Sequence, residues 1–161
     1  EPSFFAGIII LWIAFSGVWM WAFDRQLLVA IAAGFTAMFL YWISDVIHQL
    51  GHAYTARQTG YPMIGIRLGT RLIFSTSLYP ADEQALPSKI HIRRALGGPI
   101  GSLIFTVITG VITLILYPAG GIVSQMMLFL CLLNLFVFTL GPFLPLGFTD
   151  GSTIVAWWGK D

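Results

Sequence analysis

The chain has 161 residues, of which 57% are hydrophobic and only 9% are charged. Soluble domains contain about 25% charged residues, so this composition excludes a soluble globular protein and indicates an integral membrane protein. The formal net charge is +1, and the basic residues do not gather among aromatic residues as in a nucleic-acid interface. We therefore expect the lipid bilayer, and no nucleic acid, as a partner.

Four segments are long and apolar enough to cross a bilayer. A transmembrane helix needs about 20 residues to cross roughly 30 Å of hydrocarbon, and the candidate spans are residues 4–23, 26–57, 100–117 and 122–146. Neither an internal repeat nor a linker interrupts them. The sequence predicts one integral-membrane domain over residues 1–161, an all-α membrane protein of about four transmembrane helices.

The connection between the second and third spans carries most of the positive charge. Six of the eight lysines and arginines lie within residues 57–97. The positive-inside rule places this connection in the cytoplasm, and four spans then place both termini there too. Residues 61–80 alternate in polarity around Gly69-Thr70, which predicts a short membrane-associated β-hairpin with its turn at that pair. We expect the polar residues 81–95 to lie at the membrane interface.

The second span turns polar near its end. His48 lies nine residues before Arg57, or about 13 Å along a helix, so it is expected inside the membrane near the cytoplasmic face. At 100° per residue, His52, Asp45 and Gln49 fall within about 100° of His48. Polar residues at membrane depth are candidates for function. The alternative is that these buried groups only hydrogen-bond to each other or to a neighbouring helix.

The spacing of the two histidines fits a metal site. The segment HQLGH at residues 48–52 matches the zinc motif H-E-x-x-H except at its second position. Both rings point the same way, which excludes a haem held from opposite faces, although one histidine on a chlorophyll-type magnesium stays open. Asp150 follows a span interrupted by Pro142 and Pro145, and broken backbone at membrane depth lines a cavity or is covered by protein. Asp150 is therefore a candidate third ligand, which would leave a fourth position for water. The alternative is an N-cap of a final short helix.

These motifs resemble those of the site-2 proteases, which are intramembrane zinc metalloproteases. HQLGHAYTARQTGYP is similar to the family's H-E-x-x-H helix, GGPIGSL to its G-P-x-x-N motif, and PLGFTDG to its segment ending in Asp-Gly. The resemblance covers about residues 40–155. It implies that His48, His52 and Asp150 bind Zn²⁺. It also implies that the substrate is a transmembrane segment of another protein, partly unwound and paired with the hairpin by strand addition.

Three positions depart from the family's motifs. Gln49 stands where the family has its catalytic glutamate, Ser102 replaces the asparagine of G-P-x-x-N, and Pro142 replaces the asparagine of N-x-x-P, whose proline is Pro145. A glutamine amide cannot accept a proton, and the loss of a general base costs about 10²–10⁴-fold in rate. An engineered trap would change Gln49 alone, whereas three changed positions favour natural loss of catalysis.

The resemblance also suggests roles for the remaining polar positions. Ser102, Pro142 and Pro145 occupy the expected substrate-binding positions. Asp45, one turn before His48, is expected to support a ligand histidine through a hydrogen bond, and a role as substitute base stays open. The predicted function is a site-2-protease-like metalloprotease homologue that is impaired or inactive. The alternative is a non-catalytic subunit or assembly factor that binds a transmembrane partner in a membrane complex.

Overall fold

The computed structural model describes residues 2–71 and 73–160. Four of its helical segments are long and apolar enough to cross a membrane. A two-stranded antiparallel sheet lies between the second and third of them, which confirms an all-α membrane protein with a short β-hairpin. The elements in order are α1 (Pro2–Trp21), α2 (Leu27–Gln58), β1 (Gly65–Arg71), β2 (Phe74–Leu78), α3 (Ser88–Leu116), a 3₁₀ turn (Tyr117–Ala119), α4 (Gly121–Leu133), a π-helix (Asn134–Leu140), a second 3₁₀ turn (Gly141–Phe143) and α5 (Asp150–Trp157).

Two helix boundaries correct the sequence prediction. α3 begins at Ser88, so residues 88–95 are its first turns and do not form a separate interfacial segment. These turns were missed because they contain polar side chains such as Arg94, which is buried inside the protein. The fourth membrane helix ends at Phe143, three residues earlier than predicted. Its final turn contains Pro142, which has no N–H to continue the helical hydrogen bonds.

The predicted hairpin turn at Gly69-Thr70 is also wrong. β1 continues through both residues to Arg71, and β2 begins at Phe74. The strand register shifts between Arg67 and Arg71, and Gly69 has a φ of 65°. A glycine with positive φ is typical of a bulge that adds a residue to one strand. The Gly-Thr pair is therefore an irregularity within a strand, which the alternation pattern alone does not distinguish from a turn.

Small residues bring α2 and α3 close together. A Cβ atom added to Gly51 of α2 would collide with the carbonyl oxygen of Gly97 in α3 and would lie 3.3 Å from Cα of Gly101. Glycines at such crossings allow two membrane helices to approach backbone to backbone. This approach brings α2 against the Gly97-Gly98-Pro99 segment of α3. Beside this contact lies the polar stripe of α2, which is formed by Asp45, His48, Gln49 and His52.

Contacts at the two ends of the bundle show which elements share an end. The hydroxyl of Ser3 near the start of α1 donates to the carbonyl of Gly69 in the hairpin at 2.9 Å. The ring of His91 near the start of α3 stacks on that of Trp157 in α5, with centroids 4.1 Å apart. At the other end, Arg25 after α1 donates to the side chain of Gln125 in α4. The hairpin also lies beside the polar end of α2, since Ser77 donates to Gln49, and Asp150 of α5 contacts His48 there.

Asn134 joins the fourth membrane helix to α2. Its Nδ2 donates to the hydroxyl of Ser44 and to the carbonyl of Leu130, both at 2.9 Å. Polar side chains that bond across helices stabilise membrane bundles. Because Ser44 directly precedes Asp45, this bond holds the fourth membrane helix against the polar end of α2.

We expect Gly51→Ala to destabilise the bundle by about 1–3 kcal/mol, because the added methyl forces the α2 and α3 backbones apart. Gly17→Ala in α1 is the matched control, since nothing lies within 4 Å of a Cβ atom there. The measurement is the thermal unfolding midpoint of both variants in the same detergent. Equal midpoints would contradict the close crossing.

Candidate metal centre

Two histidines and one aspartate converge at the hairpin end of the bundle. Nε2 of His48 lies 3.3 Å from one carboxylate oxygen of Asp150, and Nε2 of His52 lies 3.3 Å from the other. The two Nε2 atoms are 3.1 Å apart. Among the described residues, these three form the one group of this kind that could hold a metal ion. The sequence therefore predicted residues that the fold brings together from α2 and α5.

Backbone groups of α3 lie behind the ring of His52. Its Nδ1 lies 2.8 Å from the carbonyl oxygen of Arg94 and 3.2 Å from the backbone nitrogen of Gly98. These contacts orient the ring so that Nε2 faces His48 and Asp150. A ring nitrogen that faces a carboxylate and a second imidazole is suited to bind a cation. The residues present therefore fit a metal ion.

Ser102 lies behind the other histidine. Its hydroxyl oxygen is 3.0 Å from Nδ1 of His48, and the serine is fully buried. Groups that bond the far nitrogen of a ligand histidine orient its ring. The predicted substrate-binding role of Ser102 stays a prediction; in the structure its contact is with His48, and it is not among the residues that line the cavity.

Gly98 in α3 closes the group from a third side. A Cβ atom added there would collide with Nε2 of both His48 and His52. Only glycine therefore leaves space for the two nitrogens and for anything bound between them. The sequence analysis noted this residue only as part of a family motif, and its specific role depends on the close crossing of α2 and α3.

Asp45 and Gln49 both bind the hairpin. Asp45 accepts hydrogen bonds from the hydroxyl and the backbone N–H of Ser75 in β2. The amide of Gln49 donates to the carbonyl of Ser75 at 3.3 Å and accepts from the hydroxyl of Ser77 at 2.8 Å. The expected hydrogen bond from Asp45 to a ligand histidine is thus replaced by bonds to Ser75, and the groups behind the two rings are Ser102 and the Arg94 carbonyl.

A cavity of about 610 Å³ opens in front of the three converging side chains. The polar stripe of α2, strand β2, and the segment from Gly141 to Asp150 all contribute to its walls. Pro142 lines the cavity, whereas Pro145 is exposed, is not among the lining residues and lies between the fourth membrane helix and α5. The substrate-binding roles of both prolines stay predictions.

The N-cap alternative for Asp150 does not describe the structure. Thr149 occupies the cap position, and Asp150 is the first residue of α5. The Asp150 carboxylate instead points at the two histidines. The short helix therefore places this side chain against His48 and His52.

Arg94 is a buried residue that sequence reasoning missed. Its guanidinium donates to both carboxylate oxygens of Glu83, at 2.8 and 2.6 Å, and to the carbonyl of Tyr61 at 2.6 Å. These hydrogen bonds hold the pKa of Glu83 below its usual value. The guanidinium also lies 4.1 Å from the ring centroid of Tyr79. A usable signal was its position four residues before Gly98, on the same face of α3.

Comparisons with known proteins found no matching protein family, no matching curated protein and no matching solved structure. The function of the chain therefore has to be inferred from its own residues and their geometry.

We expect the purified protein to retain about one divalent metal ion per chain and Gly98→Ala to weaken its affinity by about 10–100-fold, as for other changes beside metal ligands. The reason is that the methyl would push both Nε2 atoms out of position. Gly110→Ala on the same helix is the control, because its Cβ atom would make an ordinary contact of 3.5 Å with Cys131. Elemental analysis after titration with a chelator gives the affinity. Equal affinities in the two variants would show that the metal binds elsewhere.

Proposed function

We propose that the chain is a zinc-binding intramembrane protein of the site-2-protease type whose peptidase chemistry is impaired. The observation that carries this proposal is the convergence of His48, His52 and Asp150 from two separate helices in front of one cavity. Two imidazoles and one carboxylate are the protein ligands of catalytic zinc sites, in which a fourth position is left for water or substrate.

The spacing of the donor atoms is compatible with zinc. With bonds of about 2.0–2.1 Å in a tetrahedral site, neighbouring ligand atoms lie about 3.3 Å apart. The closest approaches between the three side chains here are 3.1, 3.3 and 3.3 Å. Zinc bound to these residues would supply an activated water for hydrolysis of a peptide bond. The chain's own residues would hold the ion and exclude bulk water from it.

The proposed impairment rests on the residue at position 49. Gln49 occupies the position after the first histidine, and its amide cannot take a proton from water. Asp45 is the acidic residue of α2, but its carboxylate already accepts two hydrogen bonds from Ser75. A carboxylate held in this way supports the hairpin and is poorly placed to replace a general base.

A second candidate function is that of a non-catalytic subunit or assembly factor that binds a transmembrane segment of a partner protein. One observation favours it. The nitrogen and the oxygen of the Gln49 amide each form a hydrogen bond with the hairpin, so the glutamine has a structural role that a glutamate could not fill. The cavity also has apolar walls, to which Val137, Phe138, Leu144 and Leu146 contribute. Such walls suit an apolar polypeptide segment, whether or not it is cut.

We expect Gln49→Glu to raise cleavage of a synthetic transmembrane peptide by less than about tenfold, well short of the roughly 10²–10⁴-fold that a general base contributes. The new carboxylate cannot donate to the Ser75 carbonyl, so it gains a base but loses the hairpin contact. The assay compares zinc-loaded protein and variant by mass spectrometry of the products.

The background control for this assay is the double variant His48→Ala with Gln49→Glu, which lacks a ligand. Elemental analysis of the unmodified protein must also return zinc as the main ion. A chelator-sensitive increase of 10²-fold or more would overturn the impaired function and identify a protease disabled at one residue.

We also propose that the hairpin end of the bundle faces the cytoplasm. Arg57, Lys89 and Arg93 are exposed near this end, and positive residues beside membrane helices are retained on the cytoplasmic side. The contacts of Ser3 with the hairpin and of Trp157 with His91 support the proposal that residues 3 and 157 lie on this side too.

The orientation predicts that Lys89→Cys is unreactive toward an impermeant maleimide added to intact cells and becomes reactive after the cells are opened. Tyr117→Cys is the opposite control, because this exposed residue lies at the other end of the bundle and should react from outside. Both are made with Cys131→Ser to remove the native thiol. Labelling of position 89 in intact cells would reverse the orientation.

A further inference from the structure

We infer that the hairpin is a closed wall of the metal cavity and does not offer a free strand edge to a polypeptide, because helices occupy both of its edges and Gln49 holds the inner one. The inference rests on the proposed function in one respect, since it concerns how a polypeptide reaches that site. It makes Gln49 a positioning residue that acts through the hairpin.

The first observation is at the inner edge of the hairpin, which is the side of β2 that faces α2 and not β1. In an antiparallel strand the backbone groups of alternate residues point to the same side. Leu78 accepts from the backbone N–H of Ile64 on the β1 side. Ser75, an odd number of residues away, therefore points to the other side, where its N–H meets Asp45 and its carbonyl meets Gln49.

Asp45 and Gln49 replace a neighbouring strand at this point. One residue supplies an acceptor and the other a donor, which is what an added strand would supply to the backbone of Ser75. They lie four residues apart on α2 and so project from one face of the helix. Because β2 has only five residues, Ser77 is the other position in its interior that points the same way, and its side chain also donates to Gln49.

The edge of β1 is occupied as well. The carbonyl of Gly69 accepts from the hydroxyl of Ser3, and a Cβ atom on Gly69 would lie 2.8 Å from Cα of Phe4 in α1. Exposed edges are templates for pairing with another chain, and proteins block them by covering them. Here α1 covers one edge and α2 the other, each near the middle of a short strand.

The amide at position 49 is required for this closure. Its nitrogen donates to the Ser75 carbonyl while its oxygen accepts from Ser77. A glutamate would keep only the second bond and would bring its charge against a carbonyl oxygen. A polypeptide therefore enters the cavity unpaired with the hairpin, or it enters after the contact between α2 and Ser75 has opened.

Hydrogen exchange of the intact protein in lipid nanodiscs tests the closure. The amide of Ser75 should be protected to within about tenfold of the amide of Ile64, which belongs to the pairing of β1 with β2. Gln49→Met and Gln49→Glu should each raise exchange across residues 74–78 by about tenfold or more, because each loses hydrogen bonds to the hairpin. Amides of the α2–α3 crossing should be unchanged, which separates loss of the wall from general unfolding.

Gln58→Glu supplies the matched control, as the same chemical change at an exposed position of the same helix, and should leave hairpin exchange unaltered. Rapid exchange of Ser75 in the unmodified protein would overturn the inference without any variant. Unchanged hairpin exchange in both Gln49 variants would also overturn it. These measurements need neither metal nor cleavage, so closure can hold in a chain that binds no zinc and can fail in one that does.

Discussion

A buried polar group needs a hydrogen-bond partner, and this constraint governs the arrangement around α2. Asp45, His48, Gln49 and His52 lie on one side of an otherwise apolar helix, and each is buried. Each of them contacts a partner outside α2, on the hairpin, α3 or α5. The packing of those elements at one end of the bundle is the means by which the polar stripe is satisfied.

The partners fall into two sets that do separate things. His48 and His52 are held from behind by α3 and turn their free nitrogens toward Asp150. Asp45 and Gln49 turn instead toward Ser75 and hold the hairpin. One helix thus presents a possible metal centre and fixes the wall beside it, so a shift of α2 along its axis would disturb both together.

Much of the site could be predicted because helical periodicity is local. Residues 45, 48, 49 and 52 share a face in any α-helix, and the carboxylate of Asp150 was identified from the Asp-Gly segment after a broken span. The position of Arg94 four residues before Gly98 indicates its face on α3, but the roles of Arg94 and Ser75 could not be found in this way. The role of Arg94 depends on the close crossing at Gly51, and that of Ser75 on a strand register that an irregularity shifts. Both are properties of how elements meet, which no single element's pattern contains.

The position of Asp150 has a consequence for the order in which the chain is made. Asp150 opens a helix of eight residues that follows all four membrane segments, and the stacking of Trp157 on His91 fastens that helix to α3. During synthesis the two histidines enter the membrane about a hundred residues before their carboxylate partner leaves the ribosome, which takes roughly 5–20 s at common rates of translation. Throughout that interval the bundle holds two imidazoles without the third donor. The three side chains therefore come together only after α5 has been made and has docked on α3.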